Sequence, residues 1–268
     1  YVGCCVYCGG QPDTSDHAPS KVLLDDPFPE NLSVVDACTA CNNGFSKDEL
    51  YLASFVECVV CGTTDPAKLA RPRIARKLTE LHSLRSEIQA ACRVDPSGQI
   101  LWSPDVSRIN NIVLKLARAH LAWDLSLLHP ESPHIYQVKP LAMMSPSHRA
   151  HFEHPDFGMV RGWPEVGSRA FLRAVQPFPE FSEQWIEVQN ARYRFRVDQC
   201  EEGDAVRIVI RDYLSFHVAW SECRRIRPPN NYALQRTGRA ERPLLFQRGS
   251  VPGRPLNAGP SSGRSLIR

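Results

Sequence analysis

An α+β fold is predicted for this chain, with a cysteine-rich N-terminal module followed by helices and a small antiparallel sheet. Two Cys-x-x-Cys pairs within the first 41 residues mark the module. Apolar residues recur at steps of three and four over residues 105–128, which indicates an amphipathic helix. Over residues 192–211 apolar residues alternate with arginines, which is typical of paired strands with one buried face. The expected divisions are 1–62 for the module, 63–226 for the helices and sheet, and 227–268 for a Pro-, Gly- and Arg-rich tail.

The composition of the chain excludes several classes of protein. Its 268 residues are 43% hydrophobic and 23% charged, which fits a globular protein and not a collagen, a coiled coil or a wholly disordered chain. No run of 18 apolar residues occurs, and the longest apolar stretch, 50–61, is interrupted by Ser54 and Glu57. No basic-then-apolar signal segment opens the sequence. We therefore expect a cytoplasmic protein with no membrane partner.

The positive charge of the chain is concentrated in its tail. The whole chain carries +3 at neutral pH, and residues 227–268 contribute +7 from eight arginines and one glutamate. The remainder therefore carries −4, the difference between those two values. A body of that charge does not attract phosphate as a whole, so nucleic acid would have to bind a local basic patch. The tail, with six prolines and five glycines, is expected to be disordered.

Four cysteines of the module have the spacing of a structural zinc site. They form two Cys-x-x-Cys pairs: Cys5, Cys8, Cys38 and Cys41. Each pair can form a tight turn that presents two thiolates, and four thiolates complete a closed tetrahedral shell around Zn²⁺. Cys4 can compete with Cys5, although the longer spacing to Cys8 is less usual. Cys58 and Cys61 lie in an apolar run, where cysteines three apart are more often packed thiols.

Two helices are expected after the module. Residues 67–94 form a basic amphipathic pattern, whose charges fit either a solvated helix face or a surface that contacts phosphate. Residues 105–128 carry a continuous apolar stripe, and Asp105 or Ser107 can cap the start of this helix. His120 lies on the stripe and is expected to be a core histidine.

A histidine- and proline-rich segment, residues 129–167, separates this helix from the sheet. His148, His151 and His154 are spaced three residues apart, which can suggest a metal site. Successive three-residue steps rotate around a helix, however, and Pro155 follows at once. We therefore expect an exposed loop or a short helix here.

Residues 168–220 are expected to form an antiparallel meander. If the turn is centred on residues 201–204, Arg194 lies opposite Arg211, and Asp198 lies opposite Arg207. The arginines would then share one face of the sheet. That face can be a charged solvent surface, which we favour, or a basic platform for phosphate.

Polar residues of the kind used in metal-dependent hydrolysis lie around the second cysteine pair and between the two pairs: Asp16, His17, Asn31 and Asn42. Oxygen ligands from Asp16 and Asn42 suit Mg²⁺ or Mn²⁺. A neutral histidine beside them can accept a proton from water. This combination is suited to metal-assisted hydrolysis of a phosphodiester.

The segments CVYCG, DHAPSK and ENLSVVDACTACNNGFSKDE together resemble the HNH endonuclease family in its four-cysteine zinc form, over about residues 5–49. The resemblance implies a ββα-metal fold, similar to a treble clef, in which two strands and a helix share one divalent ion. It implies that His17 is the general base and that Asn31 ties the loop and orients His17. It also implies that Asp16 and Asn42 ligate the catalytic Mg²⁺ or Mn²⁺. Asn42 stands where many members carry a histidine.

The expected function is therefore metal-dependent endonucleolytic cleavage of nucleic acid, with DNA as the favoured substrate. Basic residues that can hold the phosphate backbone lie beside and after the module: Lys21, Arg71, Arg73, Arg76 and Lys77. The alternative is a non-catalytic zinc-ribbon protein that binds nucleic acid or a protein partner. His17 discriminates between the two, because only the enzyme requires its imidazole.

Overall fold

The computed structural model describes residues 3–154, 166–175, 185–200, 203–220 and 245–247. Helices and antiparallel strands alternate in this part of the chain, so the fold is α+β as expected. Among the described helices, none combines the length and the apolar character needed to cross a membrane.

The N-terminal part is a hairpin followed by a long helix. Strands β1 (Thr14–Ala18) and β2 (Ser33–Ala37) pair antiparallel, with His17 opposite Val34. Helix α1 (Thr39–Cys61) starts directly after β2. The Cys38 side chain caps its first turn by accepting a hydrogen bond from the backbone N–H of Cys41.

The basic segment after α1 is broken into short elements. They are α2 (Pro72–Glu80), α3 (His82–Ala90), β3 (Cys92–Val94) and β4 (Ile100–Trp102). The expectation of one helix over residues 67–94 is therefore wrong. Single 3₁₀ turns lie elsewhere, at Lys21–Leu23, Pro66–Lys68 and Leu141–Met143.

The break at Leu81 follows from the apolar pattern. Ile74 and Leu78 are the buried residues of α2, whereas Leu84 and Ile88 are those of α3. In a continuous helix the centres of the two pairs would lie about 80° apart around the axis, so they would not point in the same direction. Leu81, with φ −106° and ψ 77°, interrupts the helix so that both pairs face the same core.

Helix α4 (Val106–Leu125) confirms the expected apolar helix, and Asp105 is its N-cap. The Asp105 carboxylate accepts hydrogen bonds from the backbone N–H groups of Ser107 and Arg108, at 2.9 and 3.2 Å. His120 is a core histidine, as expected. It is fully buried, and its Nε2 lies 2.7 Å from the Tyr193 hydroxyl.

A five-stranded antiparallel sheet packs against α4, in the order β5-β9-β8-β7-β6. Its strands are β5 (Ile135–Pro140), β6 (Ile186–Gln189), β7 (Tyr193–Cys200), β8 (Gly203–Ile210) and β9 (Leu214–Ala219). Two short helices lie between β5 and β6, α5 (Pro146–Glu153) and α6 (Arg169–Val175). The meander is therefore confirmed from β6 to β9, but it begins later than residue 168 because 169–175 are helical.

The register of the β7–β8 hairpin differs from the expected one by two residues. Cys200 pairs with Gly203, so Arg194 lies opposite Val209 and Arg196 lies opposite Arg207. Side chains alternate between faces with a period of two, so this shift leaves each residue on its expected face.

One apolar core extends from the hairpin–helix region to the sheet. It includes Leu23, Phe55, Leu116 and Phe216, and it also includes Phe246 of the short strand β10 (Phe246–Gln247). β10 pairs with β4, so this part of the expected disordered tail is a strand, and the rest of the tail lies outside the described residues. Because α1 contributes to this core, residues 1–62 and the following part share their apolar packing.

Candidate functional site

The four predicted cysteines meet where the N-terminal turn approaches the start of α1. The ligand sulfurs of Cys5, Cys8, Cys38 and Cys41 all lie within 4.8 Å of one another. Cys8 Sγ is 3.8 Å from Cys38 Sγ, which is close to the distance of about 3.8 Å between sulfurs that bind one zinc ion tetrahedrally at about 2.3 Å. In the described part of the chain this is the one group of three or more histidine, cysteine or acidic side chains with metal-binding spacing, and His148, His151 and His154 do not form such a group.

Backbone geometry prepares the first cysteine pair. The N–H of Cys5 donates to the Gly10 carbonyl at 2.8 Å, and the N–H of Gly9 donates to the Cys5 carbonyl at 2.8 Å. Gly9 has a φ of 74°, a left-handed conformation that glycine adopts without a steric cost. This turn brings Cys5 and Cys8 to one side of the chain, facing the second pair.

The electrostatics of the cluster fit a bound cation. Burial opposes ionisation of Cys5, but the backbone N–H groups of Cys38, Tyr7 and Cys8 lower the pKa of its thiol to about 7. Burial and the neighbouring thiols of Cys38 and Cys8 raise the pKa of Cys41. Closely spaced thiols cannot all ionise without positive charge between them. The four cysteines can therefore hold a zinc ion, which would supply that charge.

Asp16 is buried on β1, only 7% exposed, and its carboxylate already has one hydrogen-bond donor and one ion-pair partner. The Tyr7 hydroxyl donates to Asp16 Oδ2 at 2.7 Å, and Lys115 Nζ lies 2.7 Å from the same oxygen. Within the described residues no donor reaches Oδ1. Asp16 can therefore offer one free oxygen, Oδ1, to an ion.

His17 follows Asp16 on β1 and is directed to the other face of the strand. Its side chain is partly exposed, and its ring nitrogens have no hydrogen-bond partner in the described part of the chain. Burial and then the positive charge of Lys21 lower the pKa of His17, while Asp16 raises it to a smaller extent. The imidazole is therefore neutral at pH 7 and open to a small molecule.

The two asparagines differ in how they relate to this pair. Asn42, in the first turn of α1, donates from Nδ2 to the Ser15 carbonyl at 3.1 Å. This bond holds Asn42 against β1, next to Asp16, and leaves its amide oxygen for another contact. Asn31 is exposed in the turn before β2 and makes no hydrogen bond to His17 among the described residues. The expected orienting contact from Asn31 is therefore not part of this geometry.

Three residues that the sequence analysis did not single out complete the environment of Asp16. Lys115 Nζ donates to Ser20 Oγ at 2.8 Å and forms a close ion pair with Glu49. Ser20 also donates to Glu49. A signal was present in the sequence, because Lys115 follows Ile112 by three residues and so falls on the apolar stripe of α4.

The basic residues proposed to contact phosphate are not equivalent. Lys21 Nζ and the Arg73 guanidinium lie 5.6 and 5.4 Å from the centre of the Phe28 ring. Arg76 is exposed, and Lys77 pairs with Glu80 at 2.9 Å. Lys21, Arg73 and Arg76 therefore lie on or near the surface.

Arg71 does not belong to that surface. It is only 3% exposed, and its Nε donates to Asp25 at 2.6 Å. Its Nη2 donates to the carbonyl oxygens of Val22 and Leu24, at 2.9 and 2.6 Å. Arg71 is thus satisfied inside the protein, and it cannot contact a phosphate as predicted.

The arginines of the sheet form neither a solvent face nor a basic platform. Each of them is in an ion pair with a carboxylate: Arg192, Arg194, Arg196, Arg207 and Arg211. Arg196 and Arg207 lie opposite each other and both bind Asp198, and all three side chains are buried. Helix α5 helps to cover this face, because Phe152 packs against Val209. Alternation alone could not reveal this second covering layer.

The chain was compared with protein-family models, with curated proteins and with solved structures, and none of them matches it.

Proposed function

We propose that this protein is a metal-dependent endonuclease of HNH type that hydrolyses phosphodiester bonds in nucleic acid, with DNA as the favoured substrate. The observation that supports it is the neutral, unpartnered imidazole of His17, which lies beside Asp16 on a hairpin whose neighbouring helix carries Asn42. In this proposal the four cysteines hold a structural zinc ion that fixes the hairpin against the helix.

His17 is the general base of the proposed reaction. Its neutral ring can accept a proton from a water molecule as that water attacks the phosphorus atom. Asp16, through Oδ1, and Asn42, through its amide oxygen, would hold a Mg²⁺ or Mn²⁺ ion, oxygen ligands that both ions prefer. Such an ion stabilises the negative charge that develops on the phosphate and on the leaving oxygen.

The nucleic acid would approach across Lys21, Phe28 and Arg73. Lys21 is close enough to His17 to lower the pKa of its imidazole. Lys21 and Arg73 lie against the Phe28 ring, so two positive charges and an aromatic surface are found together near the proposed base. Phosphate contacts of this kind weaken as salt increases.

Plasmid nicking tests the proposal. The wild type is expected to nick supercoiled DNA in Mg²⁺ or Mn²⁺, and His17→Ala is expected to lose at least a hundredfold in rate, the usual scale of a lost general base. His134→Ala is the matched control, because His134 is an exposed histidine that directly precedes β5 and is not part of the proposed site. EDTA should stop the reaction.

Two results would overturn the assignment. Equal nicking by the wild type and His17→Ala would show that the activity does not depend on His17. Absence of DNA or RNA cleavage by the zinc-loaded wild type would exclude the nuclease function. Zinc content, measured by atomic emission, must be the same in all variants for the comparison to hold.

A non-catalytic zinc module that binds a partner is the second candidate. The observation that favours it is the buried ion pair of Asp16 with Lys115, which is an arrangement common in structural carboxylates. Under this alternative His17→Ala changes neither zinc content nor partner binding, whereas loss of the cysteine cluster abolishes both.

A further inference from the structure

Lys115 is an unusual component of the apolar face of α4. Its side chain is 1% exposed, and its charge is therefore removed from water. A buried ammonium group is costly unless it is paired and its protons are hydrogen-bonded. The partners of Lys115 all come from the hairpin–helix part of the chain, and even Glu49, the nearest of them in the sequence, is 66 residues away.

Three oxygen atoms surround this ammonium group. They belong to Asp16, Ser20 and Glu49, and they supply two carboxylates and one hydroxyl. The aromatic rings of Tyr7 and Phe45 close two further sides, with their centres 5.8 and 5.6 Å from Nζ. Aromatic faces attract cations, so these two rings also favour positive charge at Nζ.

Hydrogen bonding also restricts what Asp16 can do. Tyr7 donates a hydrogen bond to Oδ2, and the Lys115 ammonium forms an ion pair with the same oxygen. The carboxylate is therefore fixed with Oδ1 alone open.

We propose that Asp16, Glu49 and Ser20 form a cation site whose resident cation is the Lys115 ammonium. By filling this position Lys115 keeps a divalent ion out of it and acts as a positioning residue for Asp16. The positioning role rests on the proposed function, because it is Oδ1 of Asp16 that would contact the catalytic ion. The filled cation site does not depend on catalysis.

Removal of the ammonium should therefore allow a divalent ion to enter. In the full-length, zinc-loaded chain, Lys115→Met retains a side chain of similar length without the charge. Titration with Mn²⁺, followed by the electron paramagnetic resonance of free Mn²⁺, is expected to show one more bound ion per chain than the wild type. The additional ion should be lost in Lys115→Met/Glu49→Gln, whereas Glu49→Gln alone should leave the Mn²⁺ binding of the wild type unchanged.

Thermal unfolding gives an independent measurement. Millimolar Mn²⁺ should raise the unfolding midpoint of Lys115→Met and leave that of Lys115→Met/Glu49→Gln unchanged, because a ligand stabilises only the folded state that binds it. If Lys115→Met folds only when Mn²⁺ is present, that result also supports the site.

Three outcomes would overturn the inference. They are an unchanged number of bound ions in Lys115→Met, an additional ion that survives Glu49→Gln, and a Lys115→Met chain that fails to fold with and without Mn²⁺. Failure of the proposed function is distinguishable, because it is seen in the wild type as an absence of Mn²⁺ binding or of nicking. The comparison between the Lys115 variants remains valid even if the proposed function fails.

Discussion

His129 lies between two carboxylates in the loop that follows α4. Its Nε2 is 2.8 Å from Asp204 on β8, and its Nδ1 is 2.6 Å from Glu131. The imidazole also stacks on Trp220, with ring centres 5.0 Å apart. Burial lowers the pKa of His129, but the hydrogen bonds and charges of Asp204 and Glu131 more than offset this, and the pKa is raised. One side chain therefore fastens the loop to the sheet through its charged form.

This contact makes stability depend on pH. Because the pKa of His129 is higher in the folded state, the stabilisation is complete below the unfolded value of about 6.5 and is lost as pH rises through the folded value. We expect His129→Gln to reduce the free energy of unfolding more at pH 5.5–6 than at pH 9, as measured by urea unfolding. A difference that is equal at both pH values, or larger at pH 9, would contradict this.

Sequence patterns do not reveal residues such as His129, whose role depends on a partner in a distant element. The spacing of Cys5, Cys8, Cys38 and Cys41 predicted their cluster, because zinc-binding cysteines occur in pairs with a characteristic spacing. The burial of Lys115 and Arg71 could not be predicted in the same way, since it depends on partners from distant elements. A lysine on an apolar stripe indicates a buried pair, but it does not name the partner.

At the scale of elements, α1 connects the candidate site with the core. Its first turn carries Cys41 and Asn42, and its second half contributes Phe55 and Val59 to the main apolar core. The helix ends at Gly62, where φ is 70° and the backbone N–H bonds back to the carbonyl of Val59 at 3.2 Å. This left-handed ending is typical of a glycine that terminates a helix.

Two glycine substitutions at α1 should have opposite effects. Gly62→Ala places a side chain where the backbone is left-handed, so we expect a loss of about 1 kcal/mol in the free energy of unfolding. Gly44→Ala, inside the helix with no atom within 4 Å of the added Cβ, should gain about 0.5–1 kcal/mol. Urea unfolding of both variants measures these changes, and destabilisation by Gly44→Ala would contradict the expectation.

Helices and strands could be predicted from the sequence where a single hydrophobic periodicity determined them. The stripe of α4 predicted a helix capped by Asp105 or Ser107, of which Asp105 is the cap, and the alternation over 193–210 predicted paired strands. The single helix expected over 67–94 was wrong because two short apolar pairs face one core through a break at Leu81. The β7–β8 register was displaced because turn length, unlike side-chain alternation, leaves little trace in the strands.

At the scale of the whole molecule, helix α4 links the cysteine cluster to the sheet. A second, smaller apolar cluster joins Cys5, Ala18 and Ala37 to Ala119 and Ala122 of α4. Together with the Lys115 ion pairs, it fixes the N-terminal hairpin on the same helix that packs against the five-stranded sheet. Loss of the cysteine cluster should therefore lower the stability of the fold well beyond the hairpin.

Loss of one cluster cysteine should destabilise the whole described fold. If the cluster holds zinc, its binding contributes to folding free energy, so we expect Cys38→Ser to lower the thermal midpoint while unfolding remains one transition. Cys92→Ser, at a partly buried cysteine outside the cluster, should have a much smaller effect. Circular dichroism follows the unfolding. Separate transitions, with the sheet melting at its original temperature, would contradict the expectation.

The short strand β10 has a consequence for synthesis of the chain. Phe246 is completely buried, and its strand pairs with β4. The centre of its ring lies 5.7 Å from the centre of the Phe55 ring. A ribosome makes the chain from its N-terminus, so Phe55 emerges long before the residue that covers it. Until residue 246 leaves the ribosome, the aromatic part of the core around Phe55 stays uncovered in the nascent chain. This exposed apolar surface is where a chaperone would bind.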